Sequence, residues 1–322
     1  MNARAIMTNP PPPTTSAESP ADISRHGWRD VLRRAFTATL AEDTALAAAG
    51  IAFYAVWALF PALVILVIAT ASLLGRSEVI ALLSWLRLDL PDTFNGVIVG
   101  QLDAIAERSR AASYATLGGA LLIALWSGMR GTRGLMTALN TVYQEEERRP
   151  LWRREVLALG LSLLGGAFLL VALAAIVGLA GSGNDVRAVA LLAPSRWPAL
   201  ILMMMTLLSI AYRHGPCRRT AKWRWVTWGA AASATIWVTG SSLLAGYAAN
   251  YTHLNPLLGS LGSVTLFLFW VYLTVLVVLL GAHINAELEQ HTAADTTEGA
   301  PRPAGQRGAT VADARPRDTA TR

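Results

Sequence analysis

Residues 45–74 read ALAAAGIAFYAVWALFPALVILVIATASLL, thirty positions without a charge. About 20 apolar residues in a helix cross the ~30 Å hydrocarbon layer of a bilayer. A run of this length decides the fold class, and the rest of the chain repeats it. Further apolar stretches predict spans over about residues 113–135, 156–180, 196–213, 226–250 and 257–284, of which the stretch around 198–212 is the shortest. Across 322 residues, hydrophobic types make up 53% and charged types 15%, against about 25% charged in soluble domains. The expected fold is therefore an all-α integral membrane protein. It has six transmembrane helices between polar segments 1–27 and 291–322, with short amphipathic helices on both sides of the bilayer.

The basic residues test that topology. Of the 27 Lys and Arg residues, 21 fall in the N-terminal segment, in 130–154, in 213–224 and in the C-terminal tail, and six fall in the alternate connections. Positive residues accumulate on the cytoplasmic side, so both termini are predicted to be cytoplasmic and the chain a multi-pass protein of the cytoplasmic membrane. The same rule accounts for the net charge of +6 without nucleic acid. One cysteine, Cys217, excludes an internal disulfide.

Outside the spans, residues 1–27 and 291–322 read as disordered cytoplasmic tails, poor in apolar periodicity. Residues 28–40 carry Trp28, Val31, Leu32, Ala35, Phe36, Thr39 and Leu40 at helical spacing, opposite Arg29, Asp30, Arg33, Arg34 and Thr37. Such a helix either lies in the headgroup layer or docks on its own protein. The longest connection predicts two short amphipathic helices within 79–107, on the outer face.

The first span carries Ala52-Phe53-Tyr54-Ala55 followed by Leu59-Phe60-Pro61. The second ends in Trp126-Ser127-Gly128-Met129-Arg130-Gly131 and Leu139-Asn140-Thr141-Val142-Tyr143. The last carries Leu258-Gly259-Ser260-Leu261-Gly262, Trp270-Val271-Tyr272 and Leu279-Leu280-Gly281-Ala282-His283-Ile284-Asn285-Ala286-Glu287. In this order and spacing these motifs resemble the YihY/virulence factor BrkB family; the resemblance covers about residues 28–290 and implies a six-helix inner-membrane protein. Ala58, Leu258 and His283 stand where the family pattern has Ser, Tyr and Glu, so no family role is carried onto them.

Candidate functional residues follow from chemistry that is costly in lipid. Pro61 removes a helical hydrogen bond in mid-span, giving a packing kink or a hinge, with Tyr54 as a lining residue. Arg130 and Arg133 share a helix face at the inner end of span two. They either snorkel to headgroups or, with Asn140, bind an anionic group such as a lipid phosphate. His283 and Glu287, four apart on the last span, form a polar pair, either an interfacial cap or a proton relay. Tyr247, Asn250 and Tyr251 form an outer polar cluster. A transport path would be a polar cavity lined by spans one, two, five and six and reaching Arg130 or Arg133.

Members of the resembling family carry an old ribonuclease label. The five histidines here have no metal-ligand spacing, and no Gly-rich phosphate loop is present. The chain is expected to have no catalytic residues, cofactor or metal, and to meet membrane lipids rather than nucleic acid. Its expected function is transport, or lipid or anion handling, across the bacterial cytoplasmic membrane without ATP hydrolysis. A non-transporting envelope scaffold is the alternative, and a tRNA-processing ribonuclease the least favoured reading. No residue pattern sets an oligomeric state.

Overall fold

A computed structural model of the chain describes residues 19–74, 110–181, 196–251, 259–292 and 294–314. The described residues are helical, apart from connections and one isolated bridge between Ala221 and Thr297. The helices are α1 (Arg25–Thr39), α2 (Glu42–Leu74), α3 (Arg110–Val142), α4 (Leu151–Gly181), α5 (Arg196–His214), α6 (Trp223–Tyr251), α7 (Gly259–Gln290) and the one-turn α8 (Thr310–Asp313). Each apolar stretch of the sequence overlaps one of the helices α2 to α7. Among the described residues two segments, Glu42–Ala62 and Val264–Gln290, are long and apolar enough to cross a bilayer, and Pro198–His214 is a shorter apolar helix. The amphipathic segments of 79–107 lie outside the described residues.

The six long helices close a ring. In chain order each packs on the next, α2 on α3, α3 on α4, α4 on α5, α5 on α6 and α6 on α7, and α7 returns to α2 and also touches α3. Large apolar side chains point outward from it, among them Leu46 (73% exposed), Leu122 (70%) and Leu243 (71%). Apolar side chains exposed in this number suit a surface that lipid solvates.

Small residues and polar bonds set the helix spacing. Gly229 of α6 lies against Gly281 of α7, so a Cβ on either would meet the other's carbonyl oxygen. The Asn285 side chain then spans the two helices. Its Oδ1 accepts from the Gly229 amide at 2.8 Å and its Nδ2 donates to the Val226 carbonyl at 3.0 Å. Further along, Tyr212 Oη donates to the Val278 carbonyl at 2.6 Å, Ser233 Oγ to the Val277 carbonyl at 2.7 Å, and Trp237 Nε1 to Thr274 Oγ1 at 3.0 Å. Helices in lipid gain nothing from apolar contact alone, so close backbone approach and such bonds hold them together. Between α2 and α3 the close approach comes from Gly131, whose missing Cβ would lie 3.5 Å from Tyr54 Cβ. α2 remains helical through Pro61.

Two expectations about the tails are corrected. Residues 19–27 are ordered: Ser19 and Asp22 form a capping box around the turn Pro20–Asp22, and Ser24 caps α1 by accepting from the Gly27 amide. Residues 294–314 are ordered too. Val311 and Ala312 are buried, and Arg307 donates to the Ala294 and Ala312 carbonyls at 3.2 and 2.7 Å. Composition predicts disorder where a segment lacks its own core. This one borrows partners from the bundle, which composition does not show.

Candidate functional site

α1 makes one wall of the site, and its sequence explains how. Val31, Ala35 and Thr39 recur every four residues and are buried, the first two packing with Ile284 and Leu288 of α7. Leu32, Phe36 and Leu40, one position on, are exposed at 48, 58 and 58%. Arg33, Arg34 and Thr37 take the third side. The helix is thus docked on its own protein and also carries an exposed apolar stripe. Trp28 anchors it at the start, donating to the Pro20 carbonyl at 3.2 Å and packing on Trp228.

The third side of α1 faces a cavity of about 1320 Å3. The start of α2 contributes Asp43, Thr44 and Ala47, and the end of α3 contributes Ala138, Thr141 and Val142. The end of α7 contributes Leu279, His283, Ala286, Glu287 and Gln290. Both signs of charge line it, with Arg33 and Arg34 against Asp30, Asp43 and Glu287. His26 pairs with Asp30 at 3.9 Å near the rim. Neither Arg33 nor Arg34 has an ion-pair partner among the described residues. His283 Nε2 and Gln290 Oε1 are buried without a hydrogen-bond partner there.

The expected residues therefore separate. His283 and Glu287 do share the cavity wall. Arg130 and Arg133 do not reach it. Arg130 is exposed and stacks on Trp126 at 5.3 Å, whereas Arg133 pairs with Glu155 of α4 at 2.9 Å. Asn140 is buried and fully engaged. Its Nδ2 donates to Glu147 Oε2 at 3.1 Å and its Oδ1 accepts the Cys217 amide at 2.7 Å. These three residues form no common anion site. An arginine three residues from another along a helix shares its face only loosely, and here a carboxylate on the neighbouring helix draws one aside. The cavity is lined by spans one, two and six, with α1 in place of the expected span five. Tyr54 lies against α3, Tyr247 is 49% exposed, and the side chains of Asn250 and Tyr251 lie outside the described residues. Sequence reasoning missed Arg33, Arg34, Asp43 and Gln290 as lining groups. The available signal was the basic face of α1, which the sequence left open between the headgroup layer and docking on the protein.

Beside the cavity, a polar network seals the end of the ring. Arg218, in the α5–α6 connection, holds Glu289 of α7 with two bonds of 2.7 and 2.9 Å, both side chains fully buried. Its guanidinium lies 3.9 Å from the centre of the Tyr143 ring, and Thr296 Oγ1 donates to Glu289 at 3.1 Å. Burial pushes the Tyr143 phenol above its usual range. Arg149 closes α5, donating to the carbonyls of His214, Gly215 and Pro216. Lys222 Nζ reaches the Asp295 carbonyl at 2.7 Å. Burial raises the Asp295 carboxyl, but the Thr297 hydroxyl and amide and the Arg302 amide outweigh it and hold the group below the usual carboxylate range.

Comparison with known proteins places this geometry in a family. The family described as "Virulence factor BrkB" matches residues 35–306, more than half of the chain, and the chain belongs to it. The protein is similar, at 25% identity over 182 residues, to the "Putative ribonuclease-like protein YfkH" of Bacillus subtilis (strain 168). That match covers 53% of this chain and 64% of the relative, less than two thirds of its length. No solved structure matches. Membership and the apolar helices together make this a bacterial membrane protein.

Proposed function

We propose, from membership of the BrkB family and from the cavity beneath α1, that the protein moves or handles an amphiphile in the bacterial cytoplasmic membrane without ATP hydrolysis. In this reading α2 to α7 cross the bilayer and both termini are cytoplasmic, which puts the basic connections, the cavity and the Arg218–Glu289 network on the inner side. The observation that carries it is the position of the cavity. One helix, α1, presents Arg33 and Arg34 to the cavity and Leu32, Phe36 and Leu40 to the outside. A molecule with a polar head and an apolar tail meets both surfaces there without leaving the bilayer plane.

The orientation has its own check. Arg148 lies in the α3–α4 connection with its side chain 81% exposed, whereas Cys217 is only partly exposed. Arg148→Cys in a Cys217→Ser background is expected to react with an impermeant maleimide in inverted vesicles and to stay unlabelled in spheroplasts. Labelling from outside intact spheroplasts would reverse the topology.

The activity is tested with the purified protein in unilamellar phosphatidylethanolamine/phosphatidylglycerol vesicles carrying acyl-labelled lipid. Dithionite added outside should quench inner-leaflet label that stays protected in protein-free vesicles. Ala47→Trp, which fills the cavity, should slow this roughly tenfold, ~1.4 kcal/mol in barrier. Folded protein that moves no lipid overturns the reading. It would leave the membrane scaffold, which one observation favours: Leu139, Tyr143, Leu208, Tyr212, Val226 and Ala286 fill the space beside the cavity with a closed apolar core. The ribonuclease-like name of the relative finds no comparable support. No group of three or more His, Cys, Asp or Glu side chains that could hold a metal occurs among the described residues.

A further inference from the structure

The cavity carries more than a place for an amphiphile. Its two unpaired guanidiniums sit on one wall, on adjacent residues of α1. Its acceptors sit on the others: the carboxylates of Asp43 at the start of α2 and of Glu287 on α7, and Gln290 Oε1 one turn further along α7. Gln290 is only 6% exposed, and its Oε1 accepts no bond among the described residues. A buried amide oxygen without a donor is a standing cost to the fold unless water or a ligand supplies one. A purely anionic ligand would satisfy the arginines and be repelled by the Asp43 and Glu287 carboxylates. A purely cationic one would do the reverse. A group with a phosphate at one end and an N–H-bearing cation at the other satisfies both walls.

We infer that the cavity selects the phosphate-plus-primary-amine headgroup of a zwitterionic phospholipid, with the phosphate on Arg33 and Arg34 and the ammonium on Glu287, Asp43 and Gln290. The inference rests on the amphiphile reading above and names its substrate class. A primary ammonium has three donors, and Gln290 Oε1 can accept one of them. A quaternary choline has no donor, and the headgroup of phosphatidylglycerol has no cation. The apolar stripe of α1 beside the same cavity argues for the lipid over the soluble headgroup, because acyl chains then stay in hydrocarbon while the head is bound. The volume exceeds the usual range of roughly 300–1,000 Å3 for small-molecule pockets, which leaves room for a hydrated head.

The test is native mass spectrometry on the full-length protein in non-ionic detergent, titrated separately with dihexanoyl phosphatidylethanolamine, phosphatidylglycerol and phosphatidylcholine. The ethanolamine lipid should be retained roughly tenfold more strongly than the other two, ~1.4 kcal/mol. Arg33→Gln/Arg34→Gln should weaken all three, with Arg33→Lys/Arg34→Lys restoring them. Glu287→Gln and Gln290→Leu should erase the preference and leave phosphatidylglycerol binding intact. Equal retention of the three lipids by the wild type overturns the inference, as does a preference unchanged by the α7 substitutions. Competition by O-phosphoethanolamine at the concentration of the lipid would assign the site to the soluble headgroup and overturn the lipid assignment. Movement of lipid in vesicles without headgroup preference sinks this inference and leaves the function standing. Selective binding without movement does the opposite.

Discussion

Glu289→Ala is expected to destabilise the protein by roughly 3–5 kcal/mol, the range for removing one partner of a buried ion pair. Most of the loss arises because Arg218 stays behind. Its side chain has no exposure, and it is held against the Tyr143 ring, so it can neither reach water nor shed its charge. Burial disfavours that charge, and the Glu289 carboxylate is what sustains it. Thr296 also loses its acceptor, so the C-terminal segment loosens with the pair. The measurement is thermal stability in detergent by tryptophan fluorescence, with trypsin cleavage after Arg307, which Gly308 follows, as a second readout. A wild-type melting curve for Glu289→Ala would refute the account. The control is the double variant Arg218→Met/Glu289→Leu. It should recover much of the loss, because an apolar pair of similar volume often replaces a buried ion pair without penalty.

That network also shows where the sequence is legible and where it is not. Apolar run length locates the helices α2 to α7, because a membrane helix would need about 20 such residues whatever the neighbours are. The stripe of α1 is legible for the same reason, since one helix carries the whole pattern. Glu289 and Arg218 are 71 residues apart, and each alone reads as a solvated charge at a span end. Nothing local distinguishes Arg218, wholly buried, from Arg148, 81% exposed. The C-terminal tail fails in the same way. Asp295, Arg307 and Thr310 are ordered by bonds within the tail and by Glu145 and Lys222 of the bundle, and composition registers none of these. At the site, His283 and Glu287 are legible because both lie on one helix. Their association with Arg33 and Asp43 is created by the docking of α1, which sequence spacing cannot give. Arg130 and Arg133 were the opposite case, a local pattern divided because Arg130 stacks on Trp126 of its own helix while Arg133 is drawn to Glu155 on α4.

Gly281→Val is the second large effect expected, a loss above the 1–3 kcal/mol usual for overpacking. The reason is what the new side chain meets. A Cβ on Gly281 falls against Ser233 Oγ, 2.6 Å from the Gly229 carbonyl oxygen and 2.6 Å from Tyr212 Oη, so two of its three neighbours are polar groups already committed to interhelical bonds and the third is backbone. Backbone cannot rotate aside, and α6 and α7 must separate. Separation stretches both Asn285 bonds, at 2.8 and 3.0 Å, and each such bond is worth about 0.6 kcal/mol on average in lipid. Gly229→Val should behave alike, because its Cβ meets the Gly281 carbonyl oxygen and lies 2.6 Å from the Asn285 side chain. Gly165→Val or Gly166→Val should be close to neutral, since nothing lies within 4 Å of a Cβ at either. Those two substitutions also change a glycine to a β-branched residue inside a long helix, so they control for helix propensity. The measurement is the yield of monodisperse protein on size exclusion together with the melting temperature. If all four variants fall together, the propensity of the helices and not the α6–α7 contact sets stability. If only Gly229 and Gly281 fall, the contact does, and with it the placing of His283, Glu287 and Gln290 on the cavity wall, because one turn of α7 separates Gly281 from Asn285 and the cavity begins on the opposite side of that same turn.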